Sequence, residues 1–216
     1  MTKIRRISGA QDAIDKHFAW RLKEIANFKS MIKSADAIPQ KSLIRAGIPL
    51  LYAHWEGFVK VASEVYLNFV ANQRHQYSDL RLCFMVRGLK KRLDELEESR
   101  NSKRNVEILR FVLKESDKRA SIPYKNAVDT KSNLNSKAFK NVALSIGIDP
   151  GPYETKYNFI NESILRRRNM IAHGEYLDVG PNDYQNISDT TIGLMRQYKT
   201  DIENAIVLQS YKRPTD

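Results

Sequence analysis

The sequence predicts an all-α protein, an up-and-down helical bundle with a helical insert, on three observations. Apolar residues recur three and four positions apart through most of the chain, glycine is scarce at 9 of 216 residues, and strand-like alternation is hard to find. A chain of this length can bury enough apolar surface in one core to fold unaided. We therefore read residues 1–216 as a single domain. Its parts are a helical extension (1–39), a first core helix (40–72), a charged helical insert (73–150), a helix and turn with a distinctive motif (151–180), and a closing helix and tail (181–216).

The first helix is expected from Gln11 to Lys33, with Ile14, Phe18, Leu22, Ile25 and Phe28 on one stripe and Pro39 as the break beyond it. The second opens near Ser42 and carries Leu51, Trp55, Phe58, Ala62, Val65 and Phe69 as an unusually bulky face, with Pro49 in its early turns. Two amphipathic, peripheral helices follow. The first, from Leu80 to Glu98, would bury Leu82, Val86, Leu89, Leu93 and Leu96, and the next Val106, Leu109 and Leu113. After a polar loop at 121–135, a helix starts at Ser136 as its cap and ends at Gly147. The loop "DPGPYET" leads into a helix from Thr155 to His173. Beyond that, "GPNDYQNIS" reads as a turn, and Ser188 starts the last helix with Ile192, Met195, Ile202, Ala205 and Ile206 inward.

Composition narrows the function. The 36 Lys and Arg against 25 Asp and Glu leave a net charge of +11, spread along the chain, which favours a polyanionic partner such as RNA. Cys83 is the only cysteine, so an internal disulfide and a thiolate-rich metal site are excluded, and a cytoplasmic location is expected. No window approaches the roughly 18 uninterrupted apolar residues of a membrane span. The absence of HExxH, of a cysteine pair and of a carboxylate cluster predicts no metal, and the absence of a glycine-rich phosphate loop predicts no nucleotide cofactor.

One stretch carries chemistry: "SILRRRNMIAHGEYLDV", Ser163 to Val179. At about 100° per residue, Tyr157, Ile160, Ile164 and Ile171 form the core side of its helix. Roughly opposite lie Glu162, Arg166, Asn169 and His173, a polar strip bordered by Phe159 and Met170 on one side and Leu165 and Ala172 on the other. A polar strip with apolar borders is what a second copy of the chain would cover across a two-fold axis. Gly174 should stop the helix just past His173, and a histidine can serve as base and then acid near neutral pH. A guanidinium binds oxyanions through a planar fork of donors, and Asn169 could hold a phosphate or ribose oxygen or orient the histidine. These are tools for cutting RNA without metal. They are equally what a solvated arginine cluster and a capping histidine would present.

The octet "RNMIAHGE", Arg168 to Glu175, resembles the R-x4-6-H signature of HEPN-domain proteins in its R-N-x-x-x-H form. The stretch "AGIPLLYAHWEGFVKVASEVYLNFV", Ala46 to Val70, is similar to the first core helix of the bacterial RiboL-PSP/MAE-type HEPN branch. The order of long helix, insert, motif helix and closing helix matches from about Ser42 to Ser210. That resemblance implies an α-helical bundle, usually a homodimer, whose active members are metal-independent endoribonucleases acting as toxins or in antiviral defence. It places Arg168 and His173 at the motif positions with Asn169 after the arginine, and Arg166 and Arg167 also fit the spacing.

By the helical layout Arg168 points about 140° away from His173, so it must reach round or act across a dimer. In some members the antitoxin modifies a tyrosine two residues after the histidine; that position here is Glu175, with Tyr176 one place later, so this regulation is not carried over. Tyr176 is kept as a supporting or RNA-binding residue. Glu56 and Lys60, one turn apart, could orient Arg168 or His173, or form a surface pair without function. His54 is placed at the edge of the core. Rival functions are a non-catalytic HEPN module that binds RNA or a partner protein, and a helical scaffold that binds acidic proteins through the basic insert. An antitoxin or sensor would be a further partner.

Overall fold

Two long helices that fold back on each other organise the chain: α1 (Ile7–Ser34) and α2 (Ala37–Ala71), separated only by Ala35 and Asp36. The computed structural model describes residues 2–130 and 133–214, and these are helical throughout the bundle with no strand among them. The polar loop at 121–135 contains Lys131 and Ser132, which lie outside the described residues, as do the first residue and the last two. Shorter helices α3 (Leu82–Gly88), α4 (Lys90–Glu98), α5 (Ser102–Lys114) and α6 (Ser136–Ser145) follow. The motif segment comes next, with α7 (Arg167–Ala172) at its end, and α8 (Pro181–Val207) closes the bundle against both α1 and α2.

The predicted faces of the two long helices are the core. Ile14, Ile25, Leu51, Trp55, Phe58, Ala62 and Val65 are fully buried, and Phe18 and Phe69 nearly so. Pro39 does not end α1; it sits in the first turn of α2, where a missing N–H costs nothing, so α2 opens five residues before Ser42. Because α1 packs on α2 and α8 it belongs to the core rather than extending from it. Gly47 marks a close approach of three helices: a Cβ there would lie 2.6 Å from the Tyr184 ring of α8 and 2.8 Å from the Phe28 ring of α1.

The insert departs from its expected register. The predicted helix 80–98 is two helices meeting at Leu89, whose backbone (φ −100°, ψ 7°) serves as the end of α3 and the start of α4. Phe84 and Leu89 are buried, whereas Leu82 and Val86 face out. In α5 Ile108 is buried, and Val106, Leu109 and Leu113 are exposed. The insert has more apolar faces than neighbours to cover them: α5 packs chiefly on α4 and the short turn that follows it, so one face wins and the other stays in water. In α6 the cap is Asn135, whose side chain accepts from the Ala138 N–H, one residue ahead of the expected Ser136; Gly147 does end it, at φ +75°. α8 begins seven residues before Ser188, with Gly180 as cap and Pro181 at its first position, so the predicted turn "GPNDYQNIS" is helix.

A titratable cluster seals the α1–α2 seam. Arg21 lies 7 % exposed over the Trp20 ring (4.4 Å) and near the Phe58 ring (5.9 Å), and burial lowers its pKa to about 10. His54 is 3 % exposed with Nε2 3.0 Å from a Glu24 carboxylate oxygen, out of line for a hydrogen bond. Burial, reinforced by the Arg21 charge and opposed by Glu24, holds its imidazole below the usual value. As pH falls below the unfolded value near 6.5, the unfolded chain takes up the proton first, so this contribution is complete above that pH and lost towards the folded value. Chemical denaturation should show lower stability at about pH 5 than above pH 7, with a smaller drop in His54→Gln; an equal drop would assign the dependence elsewhere.

Candidate functional site

The motif segment is anchored from three sides before its polar residues appear. Residues Gly151–Lys156 form a 3₁₀ turn rather than the loop expected of "DPGPYET", and this turn buries Tyr153 against Phe139 of α6 (ring centroids 4.8 Å). The Tyr153 hydroxyl donates to Asp201 of α8 at 2.5 Å. Burial raises both groups; the hydrogen bond adds to the rise of the phenol that donates it and opposes that of the carboxyl that accepts it. Asn161 closes the third side, accepting from the Ser136 N–H at 2.9 Å and donating to its hydroxyl at 3.0 Å.

Phe159 to Arg166 is a π-helix, not the α-helix the spacing predicts, and α-helix resumes from Arg167 to Ala172. The wider turn advances each residue by less than 100°, which brings Leu165 to the core beside Ile160 and Ile164. Leu165 is thus a buried wall rather than a border of the polar strip. Tyr157 and Ile171 are only half-buried against the core. The helix stops as expected: Gly174 takes φ +78°, its N–H donates to the Ile171 carbonyl and the Glu175 N–H to that of Met170. His173, the residue before Gly174, is exposed.

Glu162, Arg166, Asn169 and His173 do line one groove, of about 390 Å³, together with Leu165, Met170 and Glu175. Arg166 lies in it with its guanidinium bonded to Glu162 at 2.9 Å, an exposed pair one turn apart. Arg168 goes elsewhere. Its guanidinium stacks over the Tyr52 ring of α2 at 4.4 Å, and Nη1 donates to the Asn169 Oδ1 at 2.7 Å. Tyr52 is itself fixed, its hydroxyl accepting from the Leu134 N–H at 2.7 Å; burial, with the Glu56 carboxylate nearby, pushes the phenol up to about 12. With Oδ1 committed to Arg168, Asn169 keeps its NH₂ donors for the groove. Arg168 therefore reaches the groove through Asn169, across one hydrogen bond.

The remaining candidates are less connected. Arg167 is half-buried and makes no ion pair among the described residues. Glu56 pairs with neither His173 nor Lys60, and its Oε1 is buried without a hydrogen-bond partner, so neither the expected salt bridge nor the surface pair is formed. Tyr176 is 79 % exposed on the far side of the Gly174 turn. Sequence reasoning missed Tyr52, three residues before Trp55 and on the same buried side of α2. An aromatic ring under an arginine from a distant segment leaves no local signal.

Among the described residues no group of His, Cys, Asp or Glu is placed to hold a metal ion, and no helix is long and apolar enough to cross a membrane. Against known proteins, the family model described as RiboL-PSP-HEPN matches residues 16–204, which takes in most of α1 and all of the motif segment. No curated protein and no solved structure matches.

Proposed function

The chain belongs to the HEPN family of the RiboL-PSP type, and on that premise we propose that it is a metal-independent endoribonuclease of a toxin–antitoxin or antiviral defence system, cleaving RNA in a site shared by two copies. HEPN domains are often ribonucleases, commonly bind RNA and commonly dimerise, so a nuclease or RNA-related role is supported in general. The observation that carries the finer reading is the groove in which Arg166, Asn169 and His173 come together within the family-matched segment.

In this reading His173 takes the proton of the ribose 2′-hydroxyl as that oxygen bonds to phosphorus. The bond to the 5′-oxygen breaks, and the leaving oxygen takes a proton from an imidazolium, that of His173 or of the same histidine in the second copy. Asn169 donates to a non-bridging oxygen, and the fixed charge of Arg168 behind it stabilises the phosphorane. Arg166 exchanges its exposed Glu162 partner for a phosphate, at small cost because such pairs contribute little. The products are a 2′,3′-cyclic phosphate and a 5′-hydroxyl.

The groove is open to solvent, with half-buried Met170 in its lining, a surface suited to cover by its own copy. The assignment is tested by incubating purified chain with total RNA in excess chelator while its mass in solution is measured. Dimers that cleave under chelator are expected; cleavage only after Mg²⁺ is added would overturn the mechanism. RNA binding without cleavage would favour the non-catalytic module.

A further inference from the structure

A second cleft, of about 270 Å³, lies between the first turns of α2 and the segment after the motif helix. The two recesses share one turn, and its residues alternate between them: His173 and Glu175 line the groove, Gly174 and Tyr176 the cleft. We propose that this second cleft is a nucleotide subsite for single-stranded RNA, seating the nucleotide next to the scissile phosphate; this rests on the ribonuclease reading above.

Lys41 and Arg45 line it one turn apart on α2, and neither has an ion-pair or hydrogen-bond partner among the described residues. Like charges at this spacing repel and weaken the helix that carries them. A phosphate beside both removes that cost, and the guanidinium adds a planar fork of donors. Tyr176, 79 % exposed, presents a ring with no aromatic neighbour, and a base can stack on such a face whatever its identity. Asp178 is the one acidic residue lining the cleft. It repels phosphate but accepts from the amino groups of bases, so it orients the base towards the loop and the phosphates towards α2. The chemistry that fits is therefore a nucleotide rather than an isolated anion.

The test uses the wild-type chain and a short fluorescent single-stranded RNA with 2′-O-methyl groups, which cannot supply the attacking hydroxyl, so binding is read apart from cleavage. Tyr176→Ala should weaken binding roughly tenfold, and Tyr176→Phe should bind as wild type. Lys41→Ala with Arg45→Ala should reduce the slope of log affinity against log salt by about 0.7, the share of the one phosphate they hold on a single strand. If the wild type binds and the variants match it in affinity and slope, the subsite is wrong and the ribonuclease reading stands. If the wild type shows no salt-dependent binding, both fall together.

Discussion

Replacing His173 with alanine is expected to lower RNA cleavage by about 10²–10⁴-fold, the usual worth of a positioned acid–base group, while stability changes by no more than about 0.5 kcal/mol. The two halves of that expectation have separate causes. The side chain is exposed and has no partner among the described residues, so nothing in the fold leans on it. The helix is stopped by backbone bonds from Gly174 and Glu175, which alanine at 173 leaves in place. Cleavage rate and thermal unfolding measured on one preparation check both. A variant that unfolds at lower temperature would make the histidine structural; one that cleaves normally would remove it from the chemistry.

Arg168→Ala is expected to lower kcat by about 10²–10³-fold, the range for loss of one oxyanion-stabilising group. It removes the fixed charge behind Asn169 and frees the amide to turn its oxygen towards the phosphate. Lysine should not rescue it. An ammonium offers Tyr52 no planar face and cannot reproduce the guanidinium's geometry between ring and amide. Arg166→Ala should act differently, raising KM with less effect on kcat, because Arg166 is exposed and held by an exposed pair with Glu162. The split between kcat and KM thus separates the two arginines. Equal effects of both kinds from both variants would contradict the assignment.

The helical class and the bulky face of α2 were legible because a helix buried along its length writes its period into its sequence. Trp55, Phe58 and Ala62 fall where that period puts them. The insert was less legible for the converse reason: α5 carries apolar residues on two faces and has a neighbour for one, so its period does not reveal which is covered. The start of α8 was available in principle, since proline favours the first position of a helix, but Gly180-Pro181 reads as a turn just as readily. Nothing in the composition of Phe159–Arg166 distinguishes a π-helix from an α-helix, so Leu165 was placed a few tens of degrees off its true direction.

At the candidate site the sequence placed Glu162, Arg166, Asn169 and His173 on one side correctly, even through the π-helical turn, and it anticipated that Arg168 points away from His173. Where Arg168 goes was not legible. Its destination is Tyr52, more than a hundred residues earlier, held in turn by the backbone of Leu134. Such a chain of contacts exists only once α2, the polar loop and the motif segment have packed together.

The groove at the end of the motif segment is proposed to cut RNA by 2′-hydroxyl attack. End-group analysis of RNA cleaved in chelator by the wild-type chain tests it most directly. Expected are 2′,3′-cyclic phosphate on one fragment and 5′-hydroxyl on the other, with neither formed by His173→Ala. Fragments bearing 5′-phosphate and 3′-hydroxyl, or the same ends from His173→Ala, would contradict it.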